Sequence, residues 1–340
     1  LGFLPDRGEL SALESTESGA VRALAGPTGR LYRFCNNGLQ YEVCNWMVPV
    51  DDPHAFCVSC RLNTLIPNLS FQGNVERWHK LELAKRRIIY TIMRLGLPMD
   101  DVPEENRPAL RFNFIGDLDG GPHWLTGHLN GLIVINTAEA DDAERERRRV
   151  ILHEPYRTLL GHMRHEVAHY YWDRLIANSE RLRGFRNLFG DETADYGAAL
   201  RQYYQNSSPF GWQARHVSAY ASAHPWEDWA EAWAHYFHIV DMMETADSFG
   251  ITLAPKHPAA GSMTAHPRNG FDSKVSFDEV LDNWFPLTYA LNAINRGMGL
   301  HDVYPFALSD HAIEKLRFVD QVVRSNRAQQ AIRPAVLQPA

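Results

Sequence analysis

One stretch constrains this chain more than any other: Leu160-Gly161-His162-Met163-Arg164-His165-Glu166-Val167-Ala168-His169-Tyr170-Tyr171-Trp172. Within it lies His165-Glu166-x-x-His169. Residues four apart on an α-helix stand about 40° apart around the axis and roughly 6 Å along it, so both imidazoles project from one face and reach a common ion. Glu166 points slightly aside, where it can hold a water and take its proton. Two neutral imidazoles, a carboxylate base and an open coordination position make up most of a zinc hydrolase site. With 16 histidines in the chain, such a short pattern can arise by chance. The flanks argue against chance. Leu159, Leu160, Met163, Val167, Ala168, Tyr171, Leu175 and Ile176 recur at helical spacing, which predicts a buried helix over 156–177. Buried His and Glu side chains need partners, and a metal ion supplies one.

The 340 residues can bury a large core and hold more than one domain. A hydrophobic fraction of 45% against 22% charged reads as globular. The net charge of −7 argues against non-specific nucleic-acid binding. No apolar run approaches the length of a membrane span, so no membrane contact is expected. The N-terminus lacks a basic segment followed by an apolar one, so no secretory signal is visible and a cytoplasmic location is expected. The sequence opens on Leu1 rather than Met, as a trimmed chain would.

All four cysteines lie in the N-terminal part: Cys35, Cys44, Cys57 and Cys60. Clustered thiols in a chain of this size suggest metal more than disulfides. Cys57-Val58-Ser59-Cys60 is a knuckle that bends two sulfurs around one tetrahedral ion, and Cys35 with Cys44 completes a four-thiolate site. The wide gap within the first pair is looser than usual. The alternatives are unligated thiols or a redox CxxC pair. A segment so short has little core of its own, and a structural zinc would supply much of its folding energy.

Along the chain, residues 1–72 read as this cysteine-bearing segment, with a strand at Leu31–Phe34 and a turn at Cys35–Gly38. Residues 73–110 read as a helix and a linker. In the helix (75–95) Trp78, Leu81, Ile88, Ile92 and Leu95 form the apolar stripe, and Lys85, Arg86 and Arg87 are expected in solvent. Asp100–Pro108 is the linker. Residues 111–330 read as the main domain, with strands at Arg111–Ile115 and Gly131–Asn136 and a charge-dense exposed segment at 139–149. From 178 to 225, Phe185, Leu188, Phe189, Tyr196, Leu200, Tyr203 and Tyr204 are expected to pack. A helix opens at Pro225, with acidic residues in its first turn complementing the dipole. Trp226, Trp229, Trp233 and Phe237 give it one heavily packed face. Two further helices are expected at 276–297 and 309–328, and 331–340 is a tail.

A catalytic zinc needs a third protein ligand, and the helix from Pro225 offers Glu227, Asp228 and Glu231. Here the sequence resembles known proteins. Glu227-x-x-Ala230-Glu231-Ala232-Trp233 looks like the downstream glutamate helix of gluzincin metallopeptidases such as anthrax lethal factor and the bacterial Pro-Pro endopeptidases. The resemblance implies Glu227 as the third zinc ligand. It also implies Tyr220, seven residues ahead, as the donor to the developing oxyanion, a role worth on the order of 3 kcal/mol. Glu231, one turn further along the same face, is then placed to hydrogen-bond a ligand histidine. Glu231 as the zinc ligand, with Glu227 a surface acid, is the alternative. Over most of its length the chain is similar to a bacterial family of zinc-binding metallopeptidases with an N-terminal zinc ribbon. The similarity rests on the Leu1–Asp6 start, the cysteine segment, the HExxH helix, the Pro225-Trp226-Glu227 helix and Tyr304-Pro305-Phe306. Members of that family carry further cysteine pairs upstream, which this sequence lacks.

The expected fold is therefore α+β: a zincin-like metallopeptidase domain, mostly helical with a small sheet, preceded by a four-cysteine zinc-ribbon-like segment. The expected function is zinc-dependent hydrolysis of a peptide or protein substrate, with one catalytic and one structural zinc and Glu166 as the base. The run Leu132–Ile135 resembles the zincin edge strand, which implies pairing with an extended substrate; an ordinary buried strand is the alternative. The competing function is a protein-interaction module, recruiting a protein partner through the four-cysteine segment, with a non-catalytic HExxH site. A fourth protein ligand closing the HExxH site would favour that reading.

Overall fold

Helices dominate the chain, and the strands are short. The computed structural model describes residues 1–17, 19–24, 29–99, 108–116, 126–151, 157–206 and 208–332. The expected linker therefore lies outside the described residues up to 107, as does the tail from 333. The chain forms two compact units, Leu1–Arg94 with Pro98–His153 and Arg157–Met163, and Leu95–Leu97 with Glu154–Tyr156 and Arg164–Ala340.

The first unit opens with an antiparallel pair, β1 (Gly2–Leu4) and β2 (Glu9–Ser11). An antiparallel sheet follows in sequence order: β3 (Leu13–Ser15), β4 (Val21–Ala23), β5 (Tyr32–Phe34) and β6 (Met47–Pro49). Leu4, Val21, Tyr32 and Met47 form its small core. Between β5 and β6 the expected turn is instead a short helix, α1 (Asn36–Tyr41). Gly38 makes this possible, because a Cβ there would collide with the carbonyl of Cys44. Without a side chain at Gly38, the segments bearing Cys35 and Cys44 close on each other.

The second sheet of this unit is mixed, in the order β7 (Asn63–Leu65), β8 (Arg111–Ile115), β10 (Leu132–Asn136), β9 (Gly127–Leu129). β10 runs parallel to β8 and antiparallel to β9. β10 is therefore an inner strand, which corrects the edge-strand expectation for Leu132–Ile135: both its backbone edges are already paired. The β9–β10 turn is Asn130-Gly131, with φ of 48° and 82°, the left-handed pair that a two-residue hairpin demands.

The long helix α2 (Asn74–Leu95) buries Trp78, Leu81, Ile88 and Ile92, as the stripe predicts. It also buries Lys85 and Arg86, which were expected in solvent; only Arg87 is exposed. Lys85 falls on the apolar stripe itself, between Leu81 and Ile88. Its ammonium lies 5.7 Å from the Phe112 ring and 5.6 Å from that of Phe114, pairs with buried Glu82 at 3.0 Å and donates to Asn63 at 2.5 Å. Most of the charge-dense segment forms α3 (Asp142–Ile151), with no buried residue, but Glu139, expected to be exposed, is buried in the preceding 3-10 turn Thr137–Ala140 and pairs with Arg148 and Arg157.

In the second unit the core is aromatic. The helix α4 (Leu159–Leu175) runs into it, followed by α5 (Leu182–Phe189) and α6 (Tyr196–Asn206). The chain then reaches α7 (Pro225–Ser248), α8 (Phe277–Gly297) and α9 (Asp310–Ile332). Tyr171 of α4 stacks on Trp233 of α7 at 5.0 Å, and the Trp229 indole donates to the Ala168 carbonyl at 2.9 Å. Gly270 lets its loop touch α7, since a Cβ there would lie 2.9 Å from the Val240 Cα. Asp228 pairs with Lys315 of α9 at 2.5 Å. Buried Arg164 reaches His238 at 2.6 Å and pairs with Asp241. The Tyr171, Trp229 and Arg164 contacts fix α4 against α7. Tyr204, expected to pack, is exposed.

Candidate metal centres

Two clusters among the described residues bring metal-ligating atoms within 4.8 Å of one another: Cys35, Cys44, Cys57 and Cys60, and His165, His169 and Glu227. The first lies in the first unit. The Cys44 and Cys57 sulfurs are 3.7 Å apart. Four sulfurs at about 2.3 Å from a tetrahedral zinc stand about 3.8 Å from each other. A disulfide would bring them to about 2 Å, and all four cysteines are free. Backbone N–H groups point at the sulfurs: Trp46 to Cys44 at 3.4 Å, Cys57 to Cys35 at 3.4 Å, Cys60 to Cys57 at 3.5 Å. Such donors favour thiolate, while burial pushes the Cys57 thiol well up. A cation resolves that conflict, so the donor set fits zinc. Helix α2 braces the cluster. Arg86 donates to the Val43 carbonyl at 2.6 Å, and Glu82 sits 3.9 Å from the Cys60 sulfur.

The second cluster is built by α4 and α7. Thr158 caps α4 by accepting from Gly161 N–H at 3.0 Å, and four-residue spacing then sets His165 and His169 on one face, rings 5.1 Å apart. α7 starts at Pro225 with His224 as its cap, the imidazole Nδ1 accepting from Trp226 N–H at 3.1 Å. That start places Glu227 in the first turn and Glu231 in the second. Glu227 Oε2 lies 2.9 Å from His165 Nε2, and Oε1 lies 3.8 Å from His169 Nε2. Ligands at about 2.0–2.1 Å from a tetrahedral ion would stand roughly 3.3 Å apart, so the spacing is of the right order, with each Glu227 oxygen facing a different imidazole. Glu231 Oε1 accepts from His165 Nδ1 at 2.7 Å. Asp228, the third acid of the same turn, points to Lys315.

The electrostatics show what this cluster is built for. Burial opposes charge on His165, yet its bonds to Glu227 and Glu231 outweigh burial and raise its pKa well above the usual value. Burial likewise raises the Glu227 carboxyl, but His165 and His169 hold it down at about 2. Burial lowers His169. The pocket thus keeps a buried carboxylate beside an imidazolium, whose charge stands where a metal cation's would. A divalent ion fits the donor set and would take over that charge.

Glu166 is buried beside the ligands. Tyr220 lies in a 3-10 turn, Tyr220–Ser222, its ring 5.8 Å from the His165 ring. The structure thus gathers His165, Glu166, His169, Tyr220, Glu227 and Glu231 in one place. Sequence reasoning missed Tyr196, taken as a packing residue: its hydroxyl donates to Glu227 Oε1 at 2.7 Å. Tyr196 comes from a third element, and no spacing or motif singles it out. Burial raises the Tyr196 and Tyr220 phenols, and the charges of Glu227 and Glu166 add to that effect, so both keep their protons. The remaining nearby histidines have other partners: His235 meets the Tyr304 hydroxyl at 2.6 Å, and His238 meets Arg164.

No helix among the described residues is long and apolar enough to cross a membrane. No solved structure matches the chain. Uncharacterised proteins of Mycobacterium tuberculosis and Mycobacterium bovis are 42% identical over 292 residues, covering 86% of this chain and 82% of theirs. Residues 1–71 match a zinc-ribbon domain, which contains all four cysteines. Residues 74–322, which contain the HExxH helix and Glu227, match the family described as "Putative zinc-binding metallo-peptidase", and to that family the chain belongs.

Proposed function

We propose that this protein is a zinc-dependent peptidase of gluzincin type acting on a peptide or protein substrate. One zinc would be held by His165, His169 and Glu227 for catalysis, and another by the four cysteines for structure. The observation that carries the reading is the three-donor cluster: two imidazoles and one carboxylate within 4.8 Å, with Glu231 engaged on His165 Nδ1 instead. Three protein donors leave a corner for reaction, where a closed structural site would use four. That favours an enzyme over an interaction module.

Bound zinc would supply Lewis acidity, acidifying a water and polarising a carbonyl. Glu166 takes the proton of the attacking water and returns it to the leaving amine. The Tyr220 hydroxyl keeps its proton and donates to the oxyanion of the tetrahedral intermediate. Glu231 holds His165 in the tautomer that offers Nε2 to the metal. Free thiols serving as zinc ligands suit a reducing compartment, which supports a cytoplasmic location.

Glu166→Gln should keep its metal content and lose peptide cleavage by at least about 100-fold, the lower end for a general base. Peptide-library profiling of wild type against this variant checks it and reads out specificity. Full activity in Glu166→Gln would remove Glu166 from its role.

A further inference from the structure

His165 has Glu231 as an outer partner, and Glu227 has Tyr196. We propose that Tyr196 is a positioning residue of the metal centre, its hydroxyl holding one oxygen of Glu227 so that the carboxylate engages the ion through the other oxygen alone. The proposal rests on the metallopeptidase reading above and goes beyond it.

A carboxylate can bind a metal through one oxygen or two. In the second mode it occupies the corner that water or substrate needs. Here Oε1 accepts from Tyr196 at 2.7 Å and stands 3.8 Å from His169 Nε2, while Oε2 approaches His165 Nε2 to 2.9 Å. The phenol thus makes the two oxygens unequal. Oε1 is committed to a hydrogen bond, and Oε2 makes the closer approach to a ligand nitrogen.

The contact is built in rather than casual. The Tyr196 ring packs edge-on against His224 at 5.2 Å and lies 5.7 Å from the Trp226 ring. His224 is the cap of α7, and its Nε2 lies 3.2 Å from the carbonyl of Ala194, two residues before Tyr196. One imidazole therefore ties the start of α6 to the start of α7, which sets Tyr196 against Glu227. This also accounts for a histidine where a helix cap is more often Ser, Thr, Asp or Asn: a small cap could not reach both elements. Helix α6 has no buried residue, so Tyr196 does not serve to fill a core. Its ring is partly exposed while its hydroxyl turns inward.

The test uses cobalt(II) in place of zinc in the full-length chain. Visible absorption of cobalt weakens as its coordination rises from four to five. The four-cysteine cluster contributes equally to wild type and variant, so it cancels in their difference spectrum. Tyr196→Phe keeps the ring packing and removes only the hydroxyl. The expected result is weaker visible absorption from the His/Glu centre and cobalt affinity lowered by about 10-fold or more. Superimposable spectra and equal affinity would overturn the positioning role. His165→Ala provides the separate control. If its spectrum equals that of wild type, no cobalt sits at the His/Glu centre, and the metallopeptidase reading falls together with this one.

Discussion

Around the four cysteines the protein supplies backbone N–H groups; around His165, His169 and Glu227 it supplies side chains. The cysteine cluster has four soft sulfur donors, enough to close a tetrahedron. Its N–H···S bonds come from the segments that carry the cysteines, and helix α2 adds Arg86 and Glu82 from outside. The His/Glu cluster has three donors of mixed type on two separate helices. Each position depends on distant packing: Trp229 on Ala168, Arg164 on Asp241, Tyr171 on Trp233. The difference teaches where the folding energy comes from. A short segment with a four-residue core cluster is the kind whose folding an ion would support. The second unit has a tryptophan-rich core, and its packing fixes the two ligand-bearing helices against each other.

The largest effect that follows is on the cysteine side. Cys57 accepts from Cys60 N–H and lies 3.7 Å from Cys44, so Cys57→Ser removes a ligand and a loop contact together. Zinc-linked folding free energy of on the order of 10 kcal/mol is at stake in such segments. We expect one zinc per chain to be lost, and limited proteolysis to cut within residues 1–71 first, while metal at the His/Glu centre persists. Loss of both metals would break the comparison, since it would make the second centre dependent on the first.

Much of this contrast was legible in the sequence. HExxH, CxxC and the Pro225 helix start are local patterns whose geometry follows from spacing alone. The helix over 156–177 and the strand at Arg111–Ile115 were legible for the same reason, and the structure places them at Leu159–Leu175 and Arg111–Ile115. Tertiary context decided the rest. Lys85 occupies an apolar-stripe position, and its charge suggested solvent; a buried carboxylate and amide made burial tolerable. The pairing of β10 was hidden because β9 is only three residues long, although Asn130-Gly131 marked the hairpin. Tyr196 carried no pattern at all, because the contact that defines it spans 31 residues.

A smaller effect separates the units by their response to acid. In the second unit His235 is buried, and burial pushes its pKa down to about 4. Unfolded, it takes a proton near its ordinary 6.5. Between those values the unfolded chain holds the extra proton, so stability falls as pH falls from 6.5 to 4, by about 3 kcal/mol in all, and no further below that. A buried carboxylate of the first unit behaves differently. Burial raises Glu139, but His162, Arg157 and Arg148 hold it down at about 2. Its contribution is present above about 4.5 and is lost only as pH falls from there towards 2. Denaturant unfolding of wild type and His235→Asn at pH 7 and pH 4.5 reads the difference. The wild-type loss over that interval should shrink in the variant, and an unchanged loss would remove His235 as its source.

The smallest effect tests the assignment of the two acids on α7. Glu231 accepts from His165 Nδ1 at 2.7 Å. In Glu231→Gln the amide oxygen can still accept that bond, so the tautomer survives and only the charge is lost. Metal affinity at the His/Glu centre should fall by about 10-fold, about 1.4 kcal/mol, the low end for an outer partner. Glu227→Gln removes an anionic donor and should abolish binding in the same titration. Zinc at the cysteine cluster should be untouched in both. The two variants together decide which carboxylate is the ligand, because the same chemical change on adjacent turns of one helix has unequal consequences only if one oxygen touches the ion and the other touches a ligand. Complete metal loss in Glu231→Gln, with retention in Glu227→Gln, would exchange their roles and leave Tyr196 bonded to a carboxylate that binds nothing.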